Sequence, residues 1–297
     1  MATSFQQLGF IGLGVMGEPI CRNLLTKSGI PTRVLDARPE PVQRLAGHGA
    51  VAAASQRELI EQADVVFLSL PSGEIVDAVA HAPDGLLAVD RPGQIVVDLS
   101  TTSVDIARRL GRELAERGKT LIDAPVARTR AAAEAGTLSV MVGATPQLYE
   151  RVLPLIRTFA SDVTLCGPIG CGQVVKILNN MVLFENVAAI SEAKAIAERA
   201  GVEPGLLFDT LSKGSGDSFA LRNHGMKAVI PGEFPERAFS VEYARKDLRY
   251  ALRLAQEHGV PARGAQYVDD LFEDAIGAGD GARYWPVISR LFDAGKK

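Results

Sequence analysis

Cysteine and histidine are scarce in this chain of 297 residues: three cysteines, Cys21, Cys166 and Cys171, and four scattered histidines, His48, His81, His224 and His258. An odd number of thiols with no Cys-x-x-Cys pair argues against a disulfide framework, and the imidazoles show no zinc-ligand spacing, so no metal is expected. A formal charge of -3 supplies no general pull toward nucleic acid or an anionic membrane, and neither is expected as a partner. No uninterrupted run of 18 apolar residues occurs, because the longest helical pattern is broken by Lys176, Glu185 and Glu192. The first residues, Met-Ala-Thr-Ser-Phe-Gln-Gln, lack the basic start and apolar core of a signal peptide. These absences lead to the expectation of a soluble, reduced, cytoplasmic protein.

What is present is length and apolar content. At 297 residues, 47% of them hydrophobic, the chain is about twice the usual domain size, so two domains are expected, each with its own core. Leu8 to Ile11, Arg33 to Leu35, Val65 to Leu70 and Ile95 to Leu99 are short and β-branched, as strands buried on both faces are. Helical patterns such as Ser55 to Gln62 and Ser103 to Arg117 alternate with them, which reads as an α/β doubly wound domain of Rossmann type. Strand signals continue through Thr120 to Asp123, Leu138 to Val142 and Val163 to Leu165, and then stop. After the punctuation Gly167-Pro-Ile-Gly-Cys-Gly172, a helical pattern runs from Gln173 to Ala200, about 42 Å at 1.5 Å per residue. Its first half is apolar almost all round, which predicts enclosure. Helical spacing recurs at Phe239 to His258, Tyr267 to Ile276 and Tyr284 to Phe292. The expected organisation is a dinucleotide-binding domain over 1–166 and an all-α domain over 167–297, joined by the long helix.

Gly12-Leu13-Gly14-Val15-Met16-Gly17 follows the first strand and opens a helical segment. In that context the first glycine permits the turn, the second lets a pyrophosphate approach the backbone, and the third lets helix and strand pack closely. Asp36, 24 residues after Gly12, closes the second strand, where a carboxylate accepts hydrogen bonds from ribose hydroxyls and repels a 2′-phosphate. NAD is therefore expected ahead of NADP, although Arg38 offers an alternative contact for a phosphate. Leu70-Pro71-Ser72 and Ser100-Thr101-Thr102 follow apolar strands at the sheet edge that holds ligands in this architecture; ordinary turn and capping chemistry explains each equally well.

On the long helix, Lys176, Asn179 and Asn180 stand three and four residues apart, within one turn and on one face. Polar groups on an otherwise apolar turn need partners; helix contacts by the amides with a snorkelling lysine, or a functional site, both meet that need. With Asp123-Ala-Pro-Val126, Gly136-Thr-Leu, Met141-Val-Gly143, Gly170-Cys-Gly172 and Lys246-Asp-Leu248, the chain resembles the β-hydroxyacid dehydrogenase family, the group around 3-hydroxyisobutyrate and 6-phosphogluconate dehydrogenases. The resemblance implies a Rossmann domain plus a helical domain and an NAD(P)-dependent oxidoreductase acting on CH–OH. It makes Lys176 the acid/base, Asn179 and Asn180 substrate-orienting, and Thr101 and Lys246 neighbours of the nicotinamide. It also implies a homodimer or homotetramer built through the helical domain. As a base, the lysine must be shifted by burial from a free value of about 10.4.

One segment departs from the family, whose substrate loop usually reads Asp-x-Pro-Val-Ser-Gly-Gly. Here Ala127-Arg128-Thr129-Arg130 replaces the serine and both glycines. The loop is similar to the Pro-Val-Gly-Arg-Thr version of sulfolactaldehyde reductases, which implies that Arg128 and Thr129 bind a substrate anion; Arg128 as a surface ion-pair residue is the alternative. The expectation is a small anionic hydroxyacid or hydroxy-sulfonate interconverted with its aldehyde, with sulfolactaldehyde or a similar semialdehyde ahead of 3-hydroxyisobutyrate. An imine reductase and a catalytically silent NAD-binding module are the rival readings. Ser215, Phe219, Asn223 and His224 are placed in a loop, and Cys171, between glycines, is read as structural.

Overall fold

Apolar runs of four residues pair edge to edge because each is hydrophobic on both faces. In the computed structural model, which describes residues 5–236 and 238–293, such runs form β1 (Leu8–Ile11), β4 (Val65–Leu68) and β5 (Ile95–Asp98), and the sheet is extended by β2 (Thr32–Leu35), the exposed two-residue β3 (Val51–Ala52) and β6 (Thr120–Asp123). Every residue of β1, β4 and β5 is buried. The sheet continues with β7 (Val126–Ala127), β8 (Leu138–Gly143) and β9 (Ala160–Gly167). Its order is β3-β2-β1-β4-β5-β6-β8-β7, with β9 beside β8. The first six strands are parallel in the order of a dinucleotide-binding sheet, and β8 runs antiparallel to β6 and β7.

The helices of this part are α1 (Gly17–Ser28), α2 (Pro39–Ala46), α3 (Gln56–Gln62), α4 (Gly73–His81), α5 (Val104–Glu116), α6 (Arg130–Ala135) and α7 (Pro146–Ile156). Ser55, Ser72, Ser103, Thr129 and Thr145 cap five of them through their side-chain oxygens, which is why those helices begin where they do. Alternate residues of the strands serve two cores. Phe10 and Phe67 stack at 6.0 Å on one face, while Val66 and Leu68 pack with Leu59 and Ile60 on the other.

The chain forms two compact units that meet in sequence at Lys176 and Ile177. The element that crosses this point is α8 (Cys171–Arg199), of 29 residues. It is long and apolar enough by composition to cross a bilayer, a test that a buried core helix also passes. The expected enclosure of its first half is not met: Val175, Leu178 and Val182 are 41, 38 and 51% exposed. Their spacing of three and four lines up one face that the described residues leave partly uncovered.

The second unit is helical, with α9 (Pro204–Leu211), α10 (Val241–Glu257) and α11 (Arg263–Gly277). Its core is aromatic, centred on Phe184, which lies edge-on to Trp285 at 4.8 Å and to Phe272 at 5.4 Å. Asn223 and His224 do not lie in a loop as expected but in a π-helical segment, Leu221–Val229. Gly225 obscured this segment in the sequence, yet a Cβ there would lie 2.7 Å from Phe208 and 2.8 Å from Ile190, so the glycine serves close helix packing. Tyr284 to Phe292, read as helical, is a 3-10 helix over Trp285–Phe292.

Candidate active site

The glycine-rich turn lies at the carboxyl end of β1, where the strand order reverses between β1 and β4. Gly12 has φ +95, and a Cβ there would collide with the Ser69 carbonyl. One at Gly17 would collide with the Gly12 carbonyl. At Gly14, by contrast, a Cβ would meet no atom within 4 Å, so the chain's own packing does not require that glycine. Two glycines thus build the turn, and the third keeps the backbone approachable, as a pyrophosphate needs. Leu13 is fully buried, Met16 packs against the core and Val15 is 53% exposed.

Asp36 ties this turn to the second strand. Its carboxylate accepts from the Leu13 N–H at 2.5 Å and from the Arg38 N–H and Nε at 2.9 and 3.2 Å, while Arg38 also donates to the Leu13 carbonyl at 3.1 Å. Burial acts to raise the pKa of Asp36, but the N–H bonds of Arg38 and Leu13 and the Arg38 charge outweigh it and hold the carboxyl below its usual range. Farther along the sheet edge, the Leu70 N–H donates to Ser100 Oγ at 2.9 Å, Pro71 is exposed, and Ser72 caps α4 by accepting from the Ile75 N–H at 3.4 Å.

Lys176 stands in the second turn of α8 and is only 8% exposed. The first turn is fixed by Asp123, the last residue of β6. Its fully buried carboxylate accepts from the Gly170 and Gln173 N–H groups, both at 2.8 Å. Burial outweighs these bonds and pushes the Asp123 carboxyl up to about 6. A Cβ at Gly143 would collide with Asp123 Oδ1, and one at Gly172 with the Met141 carbonyl. The motif residues Asp123, Gly143 and Gly172 are therefore parts of one junction that seats the helix carrying Lys176.

In the second unit, Asn180 is buried and donates through Nδ2 to Asp247 Oδ2 at 2.8 Å, while Asn179, exposed, donates to Asn180 Oδ1 at 3.3 Å. Lys246 pairs with Asp247 Oδ1 at 2.9 Å and lies over the rings of Tyr243 and Tyr250 at 5.5 and 5.2 Å. His224 hydrogen-bonds the Tyr284 hydroxyl at 2.6 Å, and burial pushes its imidazole down to about 4, so it is neutral at working pH.

Arg128 is the one non-glycine residue among those described with a left-handed backbone, φ +87, at the position the family usually gives to glycine. Its guanidinium pairs with Asp162 at 2.8 Å and donates to the Thr137 carbonyl at 2.6 Å and Ser161 Oγ at 2.9 Å. These partners stand at the start of β8 and β9, whereas Asp123 pairs with Gly143 at the far end of β8. Thr129 caps α6, and Arg130 pairs with Glu134 at 2.9 Å. The structure thus ties Arg128 into the ion pair that was its alternative reading.

Residues 7–167 match the family model described as the NAD binding domain of 6-phosphogluconate dehydrogenase, and residues 170–284 match that described as NAD-binding of NADP-dependent 3-hydroxyisobutyrate dehydrogenase. The chain is similar to 2-(hydroxymethyl)glutarate dehydrogenase of Eubacterium barkeri, 32% identical over 97% of this chain and 95% of the relative. The chain belongs to the β-hydroxyacid dehydrogenase family. To 3-hydroxyisobutyrate dehydrogenase of Pseudomonas aeruginosa it is 35% identical over 84% of this chain and 85% of that one. The solved structure of Mycobacterium tuberculosis 3-hydroxyisobutyrate dehydrogenase with L-serine superposes with a TM-score of 0.88 at 30% identity, over 97% of this chain and 99% of that one. Members of this dehydrogenase family are NAD(P)-dependent and act on CH–OH groups, and this chain is a β-hydroxyacid dehydrogenase of that type.

Two residues of this dehydrogenase were given no role by sequence reasoning. Asp247 adjoins the singled-out Lys246, and its link to Asn180 spans 67 residues. Gln173 precedes Lys176 by three residues, on the same helix face, and that spacing was its one available signal.

Proposed function

We propose that this β-hydroxyacid dehydrogenase uses NAD to interconvert a small anionic hydroxyacid or hydroxy-sulfonate and its semialdehyde, with Lys176 as acid/base. The observation that carries the reading is the seating of α8: Lys176 is buried one turn beyond a helix start locked to the carboxyl ends of β5 and β6. Gly12, Gly14 and Gly17 would hold the pyrophosphate, and Asp36 the ribose hydroxyls, at the cost of loosening Arg38. Its carboxylate disfavours a 2′-phosphate. The nicotinamide, when bound, supplies hydride transfer to or from the substrate carbon. Lys176 Nζ takes the hydroxyl proton during oxidation and returns one to the carbonyl oxygen during reduction. Asn179 and Asn180 orient the substrate, Asn180 being held by Asp247.

The anion is the open choice. The left-handed backbone at Arg128 favours a loop shape of the family kind, in which backbone amides grip a carboxylate. Sulfolactaldehyde is the finer reading for which Arg128 and Thr129 are the handle, and it requires the guanidinium to exchange Asp162 for the ligand. Turnover of sulfolactaldehyde, succinic semialdehyde, tartronate semialdehyde and methylmalonate semialdehyde, each with NADH and NADPH, tests both parts. The reading expects an NADH preference and a preferred substrate among the first three; preference for methylmalonate semialdehyde overturns the sulfonate reading, and preference for NADPH overturns the role given to Asp36. We also propose a homodimer or homotetramer that covers the exposed apolar face of α8; a single-chain mass of 31.6 kDa in light scattering contradicts it.

A further inference from the structure

We infer that Gln173 is a positioning residue of this reaction, holding the segment around Thr101 in register with the helix turn that carries Lys176. The inference rests on the acid/base reading of Lys176 and deepens it. The Gln173 side chain is fully buried, its Oε1 accepting from the Thr102 N–H at 3.0 Å and its Nε2 donating to the Ser100 carbonyl at 2.8 Å. One amide therefore grips the main chain on both sides of Thr101. Its own backbone N–H donates to Asp123 Oδ2 at 2.8 Å, so the residue is fixed at the main chain as well as at the side chain. Gly172 just before it has no room for a Cβ between the Met141 carbonyl and Asp123.

The chemistry gives the grip its purpose. Hydride is exchanged at carbon and proton at oxygen of a single C–O bond, so the cofactor segment and Lys176 must keep a fixed separation. Displacement of a reacting group by about 1 Å costs on the order of 100-fold in rate. Gln173 spans the two elements: it starts on the helix three residues before Lys176 and ends on the backbone flanking Thr101.

The test compares Gln173→Met, which keeps the length and removes both bonds, with Gln173→Glu, which keeps the acceptor for the Thr102 N–H and loses the donor to Ser100. For Gln173→Met we expect kcat to fall about 10- to 100-fold, with the NADH dissociation constant from fluorescence titration changed less than about twofold. The primary isotope effect on kcat with 4-deuterated NADH should rise, because hydride transfer becomes slower than product release, and Gln173→Glu, whose second oxygen would face the Ser100 carbonyl, should lose kcat in the same way. Should Gln173→Met fail to fold, the same readouts on Gln173→Glu carry the test. A folded variant with unchanged kcat overturns the proposal; so does a loss of kcat that tracks loss of NADH affinity with no change in isotope effect. Failure of the Lys176 reading is distinguishable: a Lys176→Ala enzyme would then keep turning over, whatever Gln173 does.

Discussion

Lys119 buries its ammonium at the start of β6, only 2% exposed, with the Leu86 carbonyl accepting from Nζ at 2.6 Å. Burial pushes it down to about 8, helped by the Arg117 and Arg91 charges and opposed by Asp90. Because the folded value lies below the unfolded one, the unfolded chain binds more protons between about pH 8 and 10.5, and stability rises with pH across that window. In Lys119→Met that slope is absent. Denaturant midpoints at pH 7.5, 8.5 and 9.5 should therefore show the difference between variant and parent moving in the parent's favour as pH rises; a difference that stays flat contradicts the burial argument. This lysine carried no signal in the sequence, because its surroundings come from a loop 33 residues away. Asp36 and Lys176 could be singled out as candidates, since their type and spacing relative to a glycine turn and an amide pair follow from local chemistry. Gln173 was not, because its partners, Ser100 and Thr102, become neighbours only when β5 and α8 meet.

The junction of β6, β8 and α8 divides the glycines into two kinds. Gly143→Ala drives a methyl into the Asp123 carboxylate. Overpacking of this sort costs about 1–3 kcal/mol, which corresponds to a fall of about 3–10 °C in melting temperature, and turnover should fall with the seating of Lys176. Gly14→Ala meets nothing within 4 Å, so its melting temperature should stay within about 1 °C of the parent while NADH affinity drops. Thermal melts beside NADH titrations check the pair, and equal melting temperatures for the two variants would contradict the division. The buried strands of the sheet centre were readable because both their faces are apolar. The two-residue β3 and β7 were not, since pairs as short as Val51–Ala52 and Val126–Ala127 carry no periodicity and exist through their neighbours' backbone. The exposed face of α8 was misread as enclosed because apolar composition does not say what covers a surface.

At the scale of the whole molecule, the sequence pattern separated an α/β part rich in strands from a helical part, and the two compact units have that character. Low counts of histidine and cysteine accord with the proposal that Lys176 handles the proton, in a family whose redox chemistry is supplied by a dinucleotide. The first unit carries the glycine turn, Asp36, the Thr101 segment and Lys176, while Asn180, Lys246 and Asp247 belong to the second. Substrate choice was the least legible property: the side chain proposed as its handle, Arg128, has its partners on β9 and on the residue before β8, which the sequence does not bring together. The division of labour has a direct test. In Lys176→Ala, turnover with the preferred semialdehyde should fall by about 100- to 10,000-fold, the range of general acid–base catalysis, while NADH binding by fluorescence titration stays near the parent's. Near-normal turnover in that variant would contradict the account.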